Sequence, residues 1–329
     1  MTMQGLVDIW VDIQGWILET VAHPLLFRFG FMTFFEDAPL AVEAVMLGVV
    51  QITVILLLFR GLERLAPAEH WPDRKLARVD VVYTLLNKLG LLPFLVFVAL
   101  YPVNDWLQDL VRAYGLVMPT LEQSVPWLRQ QPLLLFLAYF LIYDFAGYWL
   151  HRLQHALPWW WALHSLHHSQ RQVTCWSDDR NHLLDDLLAS LYFALVALLI
   201  GIQPTQYVAL LLASKLVESF SHANVSFGFG RMLDKVIVDP WFHRIHHARA
   251  SAAEPHIHDR NFSAVLPIWD ILFGTAVYDY KRRPTGVDTP DADADNGKGW
   301  LGQQFAALGR LGRAIAVTLR PRRAVHPAE

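Results

Sequence analysis

The residues best equipped to do chemistry in this chain are histidines. Of its 15, 12 lie between His151 and His258, a third of the chain that would hold about five if they were evenly spread. Three boxes stand out: His151-Arg-Leu-Gln-His155, then His164-Ser-Leu-His167-His168, and far downstream His243-Arg-Ile-His246-His247. On a helix, positions i and i+4 share a face, so His151 and His155 can address one ion. A helical HxxHH puts its first His and one of the adjacent pair on a shared face. The other ring turns about 100° away, toward a second metal or a supporting partner. Together the boxes offer more imidazoles than one ion takes and enough for two. One HxxxH pair arises readily by chance; three boxes with a repeated HxxHH on one side of a membrane do not. Imidazole sites without thiolate suit iron, zinc or copper. Iron is favoured because two metals beside a bilayer suit oxygen chemistry on an apolar substrate, while zinc satisfies the same ligands in isolated protein.

The elements that must position these rings are apolar. The chain is 54% hydrophobic and 17% charged with a mean hydropathy of +0.29, which reads as an all-α integral membrane protein. A formal net charge of −3 leaves no footprint for nucleic acid, and one cysteine, Cys175, gives neither an internal disulfide nor a thiolate zinc site. The first 40 residues lack a basic start and a small-residue cleavage site, and are expected to form one or two interfacial helices rather than a cleaved signal. Spans are expected over 44–59, 81–100 (interrupted by Asn87 and Lys88) and 132–150, then 187–202 and 207–220 as a hairpin, giving four to five membrane or hairpin helices. Basic residues crowd the 60–80 segment and the regions after the third span and the hairpin. The 101–131 loop carries only Arg112 and Arg129, so the histidine-rich cap is expected on the cytoplasmic face of a multi-pass protein. The expected organisation is an N-terminal interfacial segment (1–40), a catalytic domain (41–283), a flexible Asp-rich linker (284–299) and a basic amphipathic tail (300–329).

Further residues could complete a site. His222 ends the return helix with Glu218 one turn before it on the same face. His182, in Asp178-Asp-Arg-Asn-His182, precedes the fourth span, where ligation and a supporting role are equally open. His256 and His258 flank Ile257 in a polar loop. Asp144, Tyr148, His151 and His155 form one helical stripe. A carboxylate inside a span is costly, so Asp144 is read as the acceptor that orients a metal-bound imidazole, against the alternative of an interhelical hydrogen bond. Asp239 before Pro240 can cap the helix bearing His243, and Asp270 can fix a turn beneath the site. Trp159-Trp160-Trp161 reads as an interfacial anchor.

With these words in view, the sequence resembles the fatty acid hydroxylase and sterol desaturase superfamily of membrane di-iron enzymes. The likeness rests on Asp144-x3-YWLHRLQH, WALHSLHHS (161–169), SHANV (221–225), DPWFHRIHHA (239–248) and NFSAVLPIWDILFGT (261–275). The short gap between the first two boxes is also similar to alkylglycerol monooxygenases. The resemblance implies two iron ions and O2 as co-substrate. It implies a metal set of His151, His155, His164, His167, His168, His222, His243, His246 and His247, with His182 less firmly included. It implies hydroxylation of a membrane lipid, be it fatty acyl, sterol or ether lipid, with desaturation on the same ligands as the alternative. Relatives usually read NYG where this chain has Asn261-Phe262-Ser263. No fused haem-binding domain is visible, so electrons are expected from a separate ferredoxin- or cytochrome-type protein. A histidine-rich metal transporter is the competing class, but transport sites lie near the bilayer midplane, whereas these boxes lie at or beyond the span ends.

Overall fold

The computed structural model describes residues 2–115, 119–202, 204–249, 251 and 253–319. Among them the protein is helical, with isolated bridges (Pro67 to Val225, Ala248 to Thr285) and no strands. Four described helices are long and apolar enough to cross a membrane: α3 (Ala38–Leu65), α5 (Leu91–Ala113), α6 (Pro132–Ala156) and α8 (Leu183–Ile200). Before them, α1 (Met3–Ile17) and α2 (His23–Phe29) expose Leu6, Val7, Ile9, Phe27 and Phe29.

The second span starts later than expected. Residues 78–88 form a separate helix, α4 (Arg78–Lys88), ended at Gly90 with φ +85. Lys88 explains the break: its ammonium is buried 3.1 Å from Asp179, a pair that belongs to the cap and not to lipid. Gly48 on α3 allows the close approach, since a Cβ there would stand 1.8 Å from the Lys88 carbonyl. Elsewhere on α4, Asp80 accepts hydrogen bonds from Arg180, Ser177 and Gln170. This helix therefore anchors the buried loop between the first histidine boxes and α8. Helix α5 runs to Ala113, so much of the expected 101–131 loop is helical.

Pro158 sets the corner on which the site depends. The residue before a proline is pushed out of the helical region, and Leu157 is extended (φ −95, ψ 115). The chain turns there from α6 into α7 (Pro158–His168), with Pro158 in its first turn. Helix α9 (Pro204–Ser221) returns from the far end, and α10 (Pro240–His246) carries the third box. Asp239 caps α10 by accepting the Phe242 N–H at 2.8 Å, as its place before Pro240 anticipated. The return arm is helical as expected but is not among the four helices of spanning length and hydropathy.

The C-terminal region departs most from expectation. Residues 284–299 are not a flexible linker: Val287, Ala292 and Asp295 are buried, and Asp293 pairs with Arg171. The Asp-rich segment is ordered because its carboxylates have fixed cationic partners. Helix α12 (Trp300–Thr318) follows and packs on α7. Its polar side faces inward, with Gln303, Gln304 and Arg310 buried. Arg310 donates to the Ala162 carbonyl (3.1 Å) on α7, and Gln304 donates to the Tyr83 hydroxyl (3.0 Å) on α4. The basic end of the expected tail, 320–329, lies outside the described residues.

Candidate metal centre

Nine of the expected histidines converge. His151, His155, His164 and His168 form one group, and His167, His222, His243 and His247 a second. His246 joins His168 and His247 between them, the ligand atoms within each group lying within 4.8 Å of one another. Helical geometry divides the two HxxHH boxes identically. In each, the outer i, i+4 pair (His164 with His168, His243 with His247) goes to one group, and the middle ring turns away from it: His167 joins the second group, and His246 sets its Nε2 3.1 Å from that of His168 in the first. His168 and His247 stack at the junction, ring centroids 4.5 Å apart.

The hydrogen bonds fix which ring nitrogens face inward. Nδ1 of His151 donates to the Phe262 carbonyl (2.7 Å), Nδ1 of His246 to the Arg260 carbonyl (2.8 Å), and Nδ1 of His222 to the Glu218 carbonyl (2.7 Å). Nδ1 of His155 faces Asp259 (3.1 Å), and Nδ1 of His164 faces Asp185 (3.0 Å). In a neutral imidazole the other nitrogen is then a bare lone pair. Five such Nε2 atoms point into the buried centre, and those of His151 and His164 meet no hydrogen-bond partner there. The remaining inner nitrogens approach one another: His155 to His168 and His168 to His246 at 3.1 Å, His167 to His222 at 3.2 Å, and His222 to His243 at 3.0 Å. Two nitrogens bound at about 2.1 Å to one ion and at right angles to each other are about 3.0 Å apart. A proton on one ring of each pair satisfies such a contact, but Nε2 of His151 and His164 is buried with no partner, and this spacing is also the one a shared ion imposes, so the donor set fits two metal ions.

Burial, and then the neighbouring imidazoles, hold His167, His168, His243, His246 and His247 well below the ordinary imidazole range. These rings stay neutral, the state a metal ligand needs.

Two expected site residues are placed elsewhere. His182 is not in either group. Its Nδ1 accepts the Leu184 N–H at 3.0 Å as the cap of α8, and its Nε2 contacts the Gln304 carbonyl at 3.0 Å, so both nitrogens are occupied. Asp144 does not orient an imidazole. It accepts from Trp269 Nε1 (2.8 Å) and the Leu266 N–H (3.2 Å), tying α6 to the loop before α11 (Ile268–Leu272). The supporting carboxylates are Asp185 and Asp259, neither singled out by the sequence. A signal existed in the Asp185-Asp186 doublet opening an apolar span, because a buried carboxylate there needs a partner. Asp185 also accepts from Gln154 (2.9 Å) and from Trp160 (2.7 Å). Trp160 is therefore buried structure and not an interfacial anchor, while Trp161 lies beside His155 and His168. His256 and His258 stay exposed in their loop, outside both groups. Asp270 fixes its turn as expected, accepting the Phe262 and Ser263 N–H groups at 2.9 and 2.8 Å. That presents the Phe262 carbonyl to His151. Asn261 takes the left-handed conformation (φ 56) that lets the chain turn there.

Comparison with known proteins bears on the same stretch. Residues 136–275, which contain all nine rings, match the fatty acid hydroxylase family. The chain is 30% identical over 151 residues to alkylglycerol monooxygenase of Homo sapiens, covering 46% of this chain and 32% of that protein. Against alkylglycerol monooxygenase of Danio rerio it is 30% identical over 136 residues, 41% of this chain and 29% of that one. For Xenopus tropicalis the figures are 28% over 151 residues, 46% and 32%. The chain thus spans about a third of the length of the curated relatives it matches. No solved structure matches it.

Proposed function

We propose that this protein, whose residues 136–275 match the fatty acid hydroxylase family, is a membrane-embedded, O2-dependent lipid hydroxylase whose nine converging imidazoles hold two iron ions. His151, His155, His164, His168 and His246 form the first ligand set, and His167, His222, His243 and His247 the second. When bound, the two irons supply activation of O2 for attack on an unactivated C–H bond. The chain's own residues do the rest. Phe262, Arg260 and Glu218 hold three rings in one tautomer through their carbonyls, and Asp185 and Asp259 make two more rings better donors. The buried cap keeps water from the reacting carbon. The names of the relatives make an ether-linked glycerol lipid the first substrate to test. The spans bring such a lipid from the bilayer, and a separate ferredoxin- or cytochrome-type protein delivers electrons.

The cap faces the cytoplasm in this reading, supported by exposed Arg64, Lys75 and Arg78 on its side against Arg112 and Arg129 on the other. Arg180 and Arg244 do not bear on orientation, since both are buried in ion pairs, with Asp80 and Glu69.

The observation that carries the proposal is the set of five tautomer-fixed lone pairs converging in one buried space. The test combines elemental analysis of iron-supplied protein with mass spectrometry of lipids from cells making wild-type protein or His155→Ala. Two iron equivalents and a lipid gaining one oxygen, absent in the variant, are expected. Folded protein with at most one metal, or identical lipid profiles, would overturn it.

A further inference from the structure

The segment around α11 lies well below the level of the rings it supports. Helix α6 has 25 residues, and Asp144 is its midpoint. From there to His155 is about 16 Å along the helix axis. Yet it is Asp144 that accepts from Trp269 Nε1 at 2.8 Å and from the Leu266 N–H at 3.2 Å. Trp269 also packs on Phe145, ring centroids 4.9 Å apart, and Phe273 packs on Tyr148 and Trp149 at 5.4 and 5.1 Å. Residues 264–273 therefore descend along α6 to its middle.

Helix α8 gauges that depth. It runs antiparallel to α6. Asp185 sits beside Gln154 (2.9 Å), the Tyr192 hydroxyl donates to the Ala146 carbonyl (3.1 Å), Phe193 stacks on Tyr143 (ring centroids 4.5 Å), and Ile200 packs near Leu135 and Tyr139. The 18 residues of α8 make about 27 Å, close to the hydrocarbon thickness of about 30 Å. Only Asp185 among them is buried, and α8 is one of the four helices of spanning hydropathy. Phe193 is thus near mid-membrane, and Asp144, next to Tyr143, shares its level.

The surface of the descending segment suits lipid. Ile268, Ile271, Leu272 and Phe273 are exposed, Leu272 at 63%. Between Asn261 and Val277 the only charged residue is Asp270, which is fully buried. Hydrocarbon offers no hydrogen bonds, so irregular backbone at that depth has to be satisfied by protein. Here the Asp270 carboxylate accepts the Phe262 and Ser263 N–H groups and the Thr275 hydroxyl. Its carbonyl accepts the N–H groups of Thr275 and Ala276, and the Val265 carbonyl accepts the Val238 N–H. The chain leading to Val238 exposes Met232, Leu233 and Val236 with Arg231 and Lys235 beside them, a composition that fits lipid headgroups.

We propose that residues 264–273 form a re-entrant wedge whose Ile268, Ile271, Leu272 and Phe273 contact acyl chains inside the bilayer. This rests on the membrane-embedded reading above and adds a lipid-contacting element outside the four spanning helices. A soluble partner is disfavoured, because it would have to enter the bilayer to reach a surface level with Phe193. The turn built on Asp270 also presents the Phe262 carbonyl to His151 at 2.7 Å, so the wedge and the orientation of that ring share one turn.

The test measures surroundings, without turnover. In the full chain carrying Cys175→Ala, the single changes Ile271→Cys, Leu272→Cys, Leu195→Cys on α8 and Ala253→Cys in the cap are spin-labelled and reconstituted in phosphatidylcholine nanodiscs. Power saturation compares access of O2, which concentrates in lipid, with access of a nickel chelate, which stays in water. The ratio of O2 to nickel access should be about tenfold higher at 271 and 272 than at 253, and should match that at 195. Nickel access at 271 and 272 equal to that at 253, with 195 protected, overturns the wedge alone. Exclusion of both reagents at 271 and 272 also overturns it, because a protein surface, a second copy included, then covers them. Nickel access at 195 as well refutes the membrane reading and the wedge with it. Should the variants fail to fold, unaltered protein in nanodiscs holding a lipid with a mid-chain diazirine decides the matter: illumination should tag the 264–273 peptide, and an untagged peptide beside a tagged α8 overturns the proposal.

Discussion

The two imidazole groups are built from the same kind of ligand but supported differently. In the first, His151, His155, His164 and His246 each set Nδ1 against a carbonyl or carboxylate, two of the four acceptors being Asp185 and Asp259. In the second, only His222 has such an acceptor, and Nδ1 of His167, His243 and His247 is buried without a partner. Acceptors fix ring orientation and raise ligand basicity. The first group is therefore the better prepared for a cation, and the second depends more on the metal itself to order its rings. Sequence gave no hint of this asymmetry, because the two HxxHH boxes read alike.

The comparison can be broken most directly at His168, whose Nε2 lies 3.1 Å from those of both His155 and His246 and whose ring stacks on His247. His168→Ala is expected to abolish product and to release at least one of two metals. His182→Ala should leave metal content unchanged and cost about 1 kcal/mol as a lost cap. Elemental analysis of both variants checks this, and loss of metal in His182→Ala would return that residue to the site.

The asymmetry itself predicts that Asp185→Asn weakens metal binding at the first group by about ten- to a hundredfold, the usual loss when the partner of a ligating His is weakened. Stepwise iron titration of wild-type protein should show the first group filling before the second, and the variant should bring the two steps together. Unchanged, well-separated steps in Asp185→Asn would show that the carboxylate only packs.

Acid should expose what the groups share. The folded protein holds His167, His168, His243, His246 and His247 neutral, below the ordinary imidazole value of about 6.5 that they regain on unfolding. Below that pH the unfolded chain binds protons the folded chain refuses. Metal-free protein should accordingly be most stable above about 6.5 and lose stability as pH falls, by up to about 1.4 kcal/mol per unit for each ring. Thermal melting of metal-stripped protein across pH 5 to 8 measures this; a flat profile would mean that the centre opens to water.

No effect on the imidazole groups is expected at Asp144. It touches Trp269 and Leu266 and no imidazole, so Asp144→Asn should cost about 1–3 kcal/mol of stability and leave metal content as it was. A change in iron stoichiometry would show that the loop it holds reaches the first group through the Phe262 carbonyl.

What the sequence determined by itself is what periodicity and residue chemistry encode locally. Apolar runs of span length gave the membrane class, because a bilayer sets the length of a helix that crosses it. Box spacing put the first ring of each HxxHH on one face with one of the adjacent pair, because 3.6 residues per turn decides which rings share a face; that the partners are His168 and His247 came from the structure. The cap at Asp239 was legible for the same local reason. What tertiary structure decided depends on partners far apart in the chain. Lys88 breaks the second span because Asp179 waits 91 residues away. The 284–299 segment is ordered because Arg171 and Arg310 meet its carboxylates. His182 fell outside the site because α12 comes back to occupy its second nitrogen. Asp185, not Asp144, meets an imidazole of the centre because the corner at Pro158 swings His164 toward α8. Spacing along one helix fixes which side chains share a face; only the packing of helices against one another fixes what that face meets.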